Sequence, residues 1–280
     1  MKLLRYRHDT HIKPGIKDDN GNIRDVSSIV KDWTGKTLNS VNYKKINNNN
    51  ILDLPCVKRD VSIAPCVGEI GKFICIGLNY LDHAEEMGIQ KPSEPIIFMK
   101  ATSAISGPND DIVIPYNSKK TDWEVELGVV ISTEAKYISE DDADKYIAGY
   151  CVVNDISERE FQLEHMGQWV KGKSFDTFGP IGPYLITKDE IPNSQNLNLW
   201  LDVNGKRMQE SSTSKMIFNI KYLVSYLSRF MTLKPGDIIS TGSPSGVGMG
   251  RKPPIYLKAG DNLKLGIDGL GIQNQKVVKY

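Results

Sequence analysis

The sequence predicts an α+β fold dominated by β-structure. It divides into a small N-terminal domain over residues 1–70 and a larger domain over residues 71–280. Three observations lead there. Short apolar or alternating runs recur along the chain, turn signals such as Asn20-Gly21 and Asn204-Gly205 separate them, and one stretch carries the best helical period. Many short strands with few helices argue for a β core decorated by helices rather than alternating βαβ units. A chain of 280 residues buries roughly 75% of its unfolded surface, so it builds its core without staples.

Residues 3–7 read as a strand. Gly15-Ile16-Lys17 leads into Asp18-Asp19-Asn20-Gly21, and the Asn-Gly pair is a strong hairpin turn, so residues 23–26 form the returning strand. Residues 26–33 are expected as a short helix. Asn47 to Asn50 follow Lys44-Lys45-Ile46 with no apolar period and read as a surface loop. Pro55 and Pro65 mark an extended crossing into the main body. Residues 72–77 are nearly all apolar, as a buried strand requires. Asn79 is placed to cap a helix over residues 80–87, with Asp82 in its first turn and Gly88 after its end.

Residues 123–131, residues 150–153 and the alternating Leu197, Leu199, Leu201 and Val203 read as strands, and Asn204-Gly205 turns the chain into Lys206-Arg207-Met208. Ile217, Ile220, Val224, Leu227 and Met231 fall at three- and four-residue steps, which predicts a helix over residues 216–231. Two Leu-Lys-x-Gly-Asp turns, at residues 233–237 and 257–261, each open a short strand.

Composition excludes several functions. Lys and Arg number 35 against 34 Asp and Glu, a net charge of +1, without the basic surplus that nucleic acid or an acidic membrane surface calls for. No apolar run approaches the ~20 residues of a transmembrane helix. The opening MKLLRYRHDTH turns polar too soon for a signal peptide. Cys56, Cys66, Cys75 and Cys151 form no CxxC pair, so neither a thiolate zinc site nor a disulfide framework is expected, and a cytoplasmic location is the default.

Five features carry chemistry. Glu124 and Glu126 are two apart on a strand and share a face, with Trp123, Val125, Leu127 and Val129 opposite. A lone Glu-x-Glu favours a solvated face, but the strand continues into apolar surroundings. Asp155 ends the apolar run 150–153, placed either for a site or for capping a turn. Taken together, the three carboxylates would make an all-oxygen site suited to a hard cation, Mg²⁺ first, with Mn²⁺ and Ca²⁺ as the other candidates. His83 and Glu86 lie three apart on a helix, the arrangement of an oriented general base, although spacing alone favours a surface pair. Gly167 and Gly172-Lys173-Ser174 match the phosphate-loop letters without a strand before or a helix after them, and Lys173 is either a cation aimed at an anionic substrate or a surface lysine. Residues 240–250 are glycine-rich, which permits close backbone approach to a ligand and equally a flexible loop. His8, His11 and His165 have no partners in the sequence and read as structural or solvated.

Six segments in order resemble one family. They are Gly77-Leu78-Asn79-Tyr80-Leu81-Asp82-His83-Ala84-Glu85-Glu86, Pro95-Ile96-Ile97-Phe98-Met99-Lys100, Glu124-Val125-Glu126-Leu127, Asn154-Asp155-Ile156-Ser157-Glu158-Arg159, Lys171-Gly172-Lys173-Ser174-Phe175-Asp176-Thr177, and Thr241-Gly242-Ser243-Pro244-Ser245-Gly246-Val247-Gly248. Together they look like the fumarylacetoacetate hydrolase family, over residues 71–280. The resemblance implies a mixed β-roll core with a small N-terminal domain, a homodimer, and Mg²⁺ held by Glu124, Glu126 and Asp155. It implies a water-activating dyad of His83 and Glu86 on a lid helix, with Lys173 as the active-site lysine. Arg159, Gln162 and Thr241 match substrate-contacting positions, and Lys100 and Thr177 lie in motifs near the metal. Lys2-Leu3-Leu4-Arg5-Tyr6 and Lys13-Pro14-Gly15-Ile16 look like the longer bacterial branch, which includes hydrolases of 2,4-diketo-3-deoxy sugar acids from L-fuconate or L-rhamnonate and proteins labelled ureidoglycolate lyase.

The resemblance implies hydrolysis of a C–C bond in a small anionic 1,3-dicarbonyl acid, either such a sugar acid or an acylpyruvate, to pyruvate and a second acid. Two other readings stand beside it. The same scaffold serves metal-dependent decarboxylases and tautomerases of oxaloacetate-like 2-oxo acids, and a non-catalytic metal- or sugar-acid-binding protein would need the carboxylates but no general base.

Overall fold

In the computed structural model, which describes residues 1–47, 49–57 and 61–280, the first part of the chain supplies β1 (Lys2–His8), β2 (His11–Lys17), β3 (Ile23–Asp25) and β4 (Ile63–Ala64). Next come β5 (Phe73–Gly77), β6 (Ile96–Lys100), β7 (Ile105–Ser106), β8 (Ile112–Ile114), β9 (Thr121–Asp122) and β10 (Val125–Ile131). The middle adds β11 (Ile147–Asn154), β12 (Ser157–Glu158), β13 (Gly179–Pro180) and β14 (Leu185–Thr187). The last are β15 (Asn198–Val203), β16 (Lys206–Ser212), β17 (Ile238–Ser240), β18 (Asn262–Ile267) and β19 (Gly271–Lys279). The helices are α1 (Ser40–Asn47), α2 (Leu81–Met87), α3 (Val170–Lys173) and α4 (Ile220–Phe230).

The result is the β-dominated α+β architecture expected. A ten-stranded mixed sheet runs β3-β2-β1-β14-β11-β10-β17-β5-β6, with β4 beside β1, and a five-stranded sheet runs β16-β15-β18-β19-β8. Every residue of β10 and β11 is buried. On one face Tyr150 and Val152 share a core with Leu199, Leu201, Leu263 and Leu265 of the second sheet. On the other face Cys151 and Val153 pack with Trp33, Leu38 and Phe73. A strand covered on both sides is apolar throughout, which is why residues 150–153 show no alternation.

The sheet crosses residue 70 without a break, because β1 pairs with β14 and sets Lys2 opposite Ile186. The Trp33 indole fills the second core and donates to the Gly15 carbonyl at 3.0 Å.

Three local expectations change. Residues 26–33 form a turn rather than a helix: the Ile29 and Val30 N–H groups close on the Val26 carbonyl, and Asp32 then accepts two 2.7 Å bonds from Arg5 and the Trp33 N–H, which takes the chain out of a helical course. The asparagine run begins inside a helix: α1 buries Ile46 and ends at Asn47, and Asn50 then caps a 3-10 turn over Ile51–Asp53. Asn48 lies outside the described residues. Helix α4 starts at Ile220 rather than Met216, because the Asn219 side chain accepts from the Tyr222 N–H at 2.8 Å and caps it there.

Since Trp33 joins a core shared with β5 and β11, Trp33→Ala is expected to cost about 3–5 kcal/mol in a single cooperative guanidinium transition. A separate early transition confined to the N-terminal part would contradict the shared core.

Candidate active site

Antiparallel pairing sets the start of β10 beside the end of β11. Glu124 precedes β10, Asp155 follows β11, and the Asp155 N–H donates to the Glu124 carbonyl at 2.9 Å. Glu126 lies one pleat further on, toward the same side as Glu124. Its Oε2 accepts from Ser240 Oγ at 2.6 Å and the Gly242 N–H at 2.9 Å, where β17 ends. All three carboxylates are buried, and each offers an oxygen within 4.8 Å of the others.

Three buried cations meet them. Lys173 Nζ donates to Glu124 at 2.7 Å and to Asp155 Oδ2 at 2.9 Å. Arg159 donates to Asp122 at 2.8 Å, to Glu124 at 2.7 Å and to Gln162 Oε1 at 3.0 Å. Lys100 donates to the carbonyls of Ile156 and Lys173 at 2.8 and 2.7 Å. Its ammonium also forms a buried ion pair with Asp155 Oδ1 at 2.5 Å.

The charges settle unevenly. Burial works against ionised Glu124, yet Lys173 and Arg159 outweigh it and hold the carboxyl at about 2. Burial and the charges of Asp155 and Glu124 push the Glu126 carboxyl well above its ordinary range. Burial also opposes the Lys173 ammonium, but Asp155 and Glu124 hold it above its usual value. Lys100 is held below its usual value by burial, with Lys173 adding to the effect and Asp155 opposing it. An all-oxygen donor set of three buried carboxylates, each with an oxygen within 4.8 Å of the others, fits a hard divalent cation.

Helix α2 brings a further acid, Glu86. His83 Nδ1 lies 3.0 Å from Glu86 Oε2, as the i, i+3 spacing allows. Asn79 does not cap this helix. It is buried, accepts from the Phe218 N–H at 2.8 Å and donates to the Thr241 carbonyl at 2.7 Å, so Tyr80 stands at the N-cap and Gly88, in the left-handed region, ends the helix. The glycine-rich segment is a strap rather than a loose loop. Its Gly246 N–H donates to Glu86 Oε1 at 2.9 Å, and the Gly248 and Met249 N–H groups donate to Asp122 at 2.7 and 3.0 Å. Gly246 has φ +100, and a Cβ there would meet the Met208 carbonyl oxygen at 2.0 Å.

A cavity of about 210 Å³ opens on this cluster and is lined by His83, Glu124, Glu126, Arg159, Gln162 and Lys173, among others. Thr177 and Thr241 turn into the protein: Thr177 Oγ1 accepts from the Val113 N–H at 2.9 Å, and Thr241 Oγ1 donates to the Leu127 carbonyl at 2.8 Å. Lys100 lies against Asp155, outside the lining. Lys173 ends α3, and a π-helical turn over Glu160–Glu164 precedes Gly167, so the strand-then-helix frame of a phosphate loop is not made. His8, His11 and His165 are exposed. Two features escaped the sequence reading. Asp122, fully buried, ties the strap to Arg159; its only sequence signal is its place just before Trp123-Glu124. The apolar side of the cavity, with Phe98 and Trp169, had no signal that separates it from core.

A β-dominated fold with this buried acidic cluster at the ends of its central strands defines the class. Residues 72–278 match the fumarylacetoacetate hydrolase C-terminal family, and the chain belongs to that family. A relative from Burkholderia ambifaria, named a "putative hydrolase", is 57% identical over 276 residues, 98% of each chain. A fumarylacetoacetate hydrolase from psychrophilic Exiguobacterium antarcticum superposes with a TM-score of 0.87 at 32% identity, covering 100% of each chain. A maleylpyruvate hydrolase from a Sphingobium species, solved with manganese(II) and pyruvate, superposes with a TM-score of 0.84 at 26% identity, covering 100% of this chain and 99% of its own.

Mn²⁺ or Mg²⁺ at about a hundredfold excess over its Kd is expected to raise the Tm by about 5 °C. Glu126→Gln should lose most of that shift. An unmoved wild-type Tm in differential scanning fluorimetry would count against cation binding here.

Proposed function

We propose that the chain is a divalent-cation-dependent hydrolase that cleaves a C–C bond of a 1,3-dicarbonyl acid, an acylpyruvate or a 2,4-diketo-3-deoxy sugar acid, to pyruvate and a second acid. The observation that supports this best is the His83–Glu86 pair, 3.0 Å apart, with His83 opening on the same cavity as Glu124 and Glu126. Binding alone calls for no oriented base. In this reading Glu124, Glu126 and Asp155 hold the cation, Mg²⁺ first and Mn²⁺ next, which when bound supplies Lewis-acid stabilisation of substrate oxygens.

Glu86 accepts the Nδ1–H of His83 and leaves Nε2 to take a proton from water. The water oxygen bonds to the distal carbonyl carbon. The C–C bond breaks, its electron pair passes into the pyruvate half as an enolate, and a proton returns to that carbon. Lys173 stabilises the developing negative charge and stands ready as the proton donor. Arg159 and Gln162 receive the substrate carboxylate. Lys100, Thr177 and Thr241 act from behind, through Asp155 and through the backbone they hold. Residues 71–280 then form the catalytic domain, and residues 1–70 are an accessory domain by role, although they share its sheet. The family resemblance also carries a homodimer, which sedimentation velocity tests.

His83→Ala should lower kcat on a 2,4-dioxo acid by about 10²–10⁴-fold while the cation-induced Tm shift persists; wild-type kcat in the variant would remove His83 from the chemistry. EDTA should abolish turnover and Mg²⁺ or Mn²⁺ restore it, read by coupling pyruvate to lactate dehydrogenase. Release of CO₂ from oxaloacetate without pyruvate from any acylpyruvate would favour the decarboxylase reading instead.

A further inference from the structure

The residues lining the cavity include two sets of opposite chemistry. One holds the carboxylates with His83, Arg159 and Lys173. The other is built from Met87, Ile89, Phe98, Leu163, Trp169 and Met249. Phe98 forms the seam, with its ring centroid 5.0 Å from the Lys173 ammonium and 5.2 Å from that of Trp169, which it meets edge-on. Trp169 is held close over Gly77, where an added Cβ would meet the indole at 2.7 Å. Ile89 and Leu163 line the cavity yet remain 45% and 42% exposed, so a ligand laid against them removes apolar surface from water.

This wall offers nothing to a second charge. None of these wall residues is a cation: the two permanent cations of the lining, Arg159 and Lys173, are bound to Asp122, Glu124 and Asp155, where the head of the substrate is received. A distal carboxylate moved onto the wall would lose its hydration with no counter-ion, and a hydroxylated tail would lose hydrogen bonds to water. We infer that the cavity selects acids whose distal group is apolar, so that the substrate class is an acylpyruvate with an alkyl or aryl tail rather than a sugar acid or a dicarboxylic acid. The inference rests on the hydrolase reading for the head of the substrate and extends it to the tail.

The test is calorimetric binding of unreactive 2-oxo acids to the Mn²⁺-loaded full chain. From 2-oxobutanoate to 2-oxohexanoate, each methylene should tighten Kd by about two- to fourfold. Both 2-oxoadipate and 4,5-dihydroxy-2-oxohexanoate should bind at least about tenfold more weakly than 2-oxohexanoate. Leu163→Arg, at a half-open position that tolerates a long side chain, should narrow or reverse the preference against 2-oxoadipate. A flat chain-length series, equal or tighter wild-type binding of either polar acid, an unchanged preference in Leu163→Arg, or no binding of any member would each overturn the inference. Turnover is a separate readout. Chain-length preference without pyruvate release from any 2,4-dioxo acid would sink the hydrolase reading and leave tail selection standing.

Discussion

Buried charge is the constraint to which the rest of this structure answers. Asp122, Glu124, Glu126 and Asp155 lie in the interior together with Lys100, Arg159 and Lys173. Each ion taken alone into such a place costs several kcal/mol, so none of them is tolerable without the others. The cations must therefore arrive from elsewhere in the chain with little freedom of position. Lys100 comes from the end of β6, Arg159 from beside β12 and Lys173 from the end of α3, and each bonds to a carboxylate or a carbonyl beside the ends of the central strands. Glu126 receives neutral donors from Ser240 and Gly242 instead of a cation, and burial with the charges of Asp155 and Glu124 pushes its carboxyl above the ordinary range.

The glycine-rich strap extends this charge network outward. It holds Asp122 through two backbone N–H groups and Glu86 through a third. One segment thus fixes both the carboxylate behind Arg159 and the carboxylate that orients His83. Its glycines are needed where the backbone passes within bonding distance of other backbone, as at Gly246 against Met208. A side chain there would push the strap away from both acids.

Much of this was legible in the sequence, because it follows from period and order. Alternation on one side of Glu124 and Glu126 placed them on a common face, the apolar run before Asp155 placed it at a strand end, and helical spacing paired His83 with Glu86. The rest depends on partners far along the chain. Nothing local says that β10 and β11 pair so that Glu124 and Asp155 touch, or that Asn79 bonds to Phe218 and Thr241 instead of capping its own helix. Residues 26–33 carried a helical pattern, but Asp32 is claimed by Arg5, distant in sequence. Wall residues such as Phe98 and Trp169 look like core residues until the cavity is seen.

The division of the cavity also separates what can drift from what cannot. Asp122, Glu124 and Asp155 are bound to Lys100, Arg159 and Lys173, and changing one of these acids strands a cation in the interior. Leu163, Ile89 and Met87 hold no such debts, because they touch the cavity with carbon and sulfur alone. Over generations a lineage can exchange them singly, reshaping which tails it accepts while the reactive corner stays still. A single scaffold can in this way radiate into many diets without reinventing its chemistry.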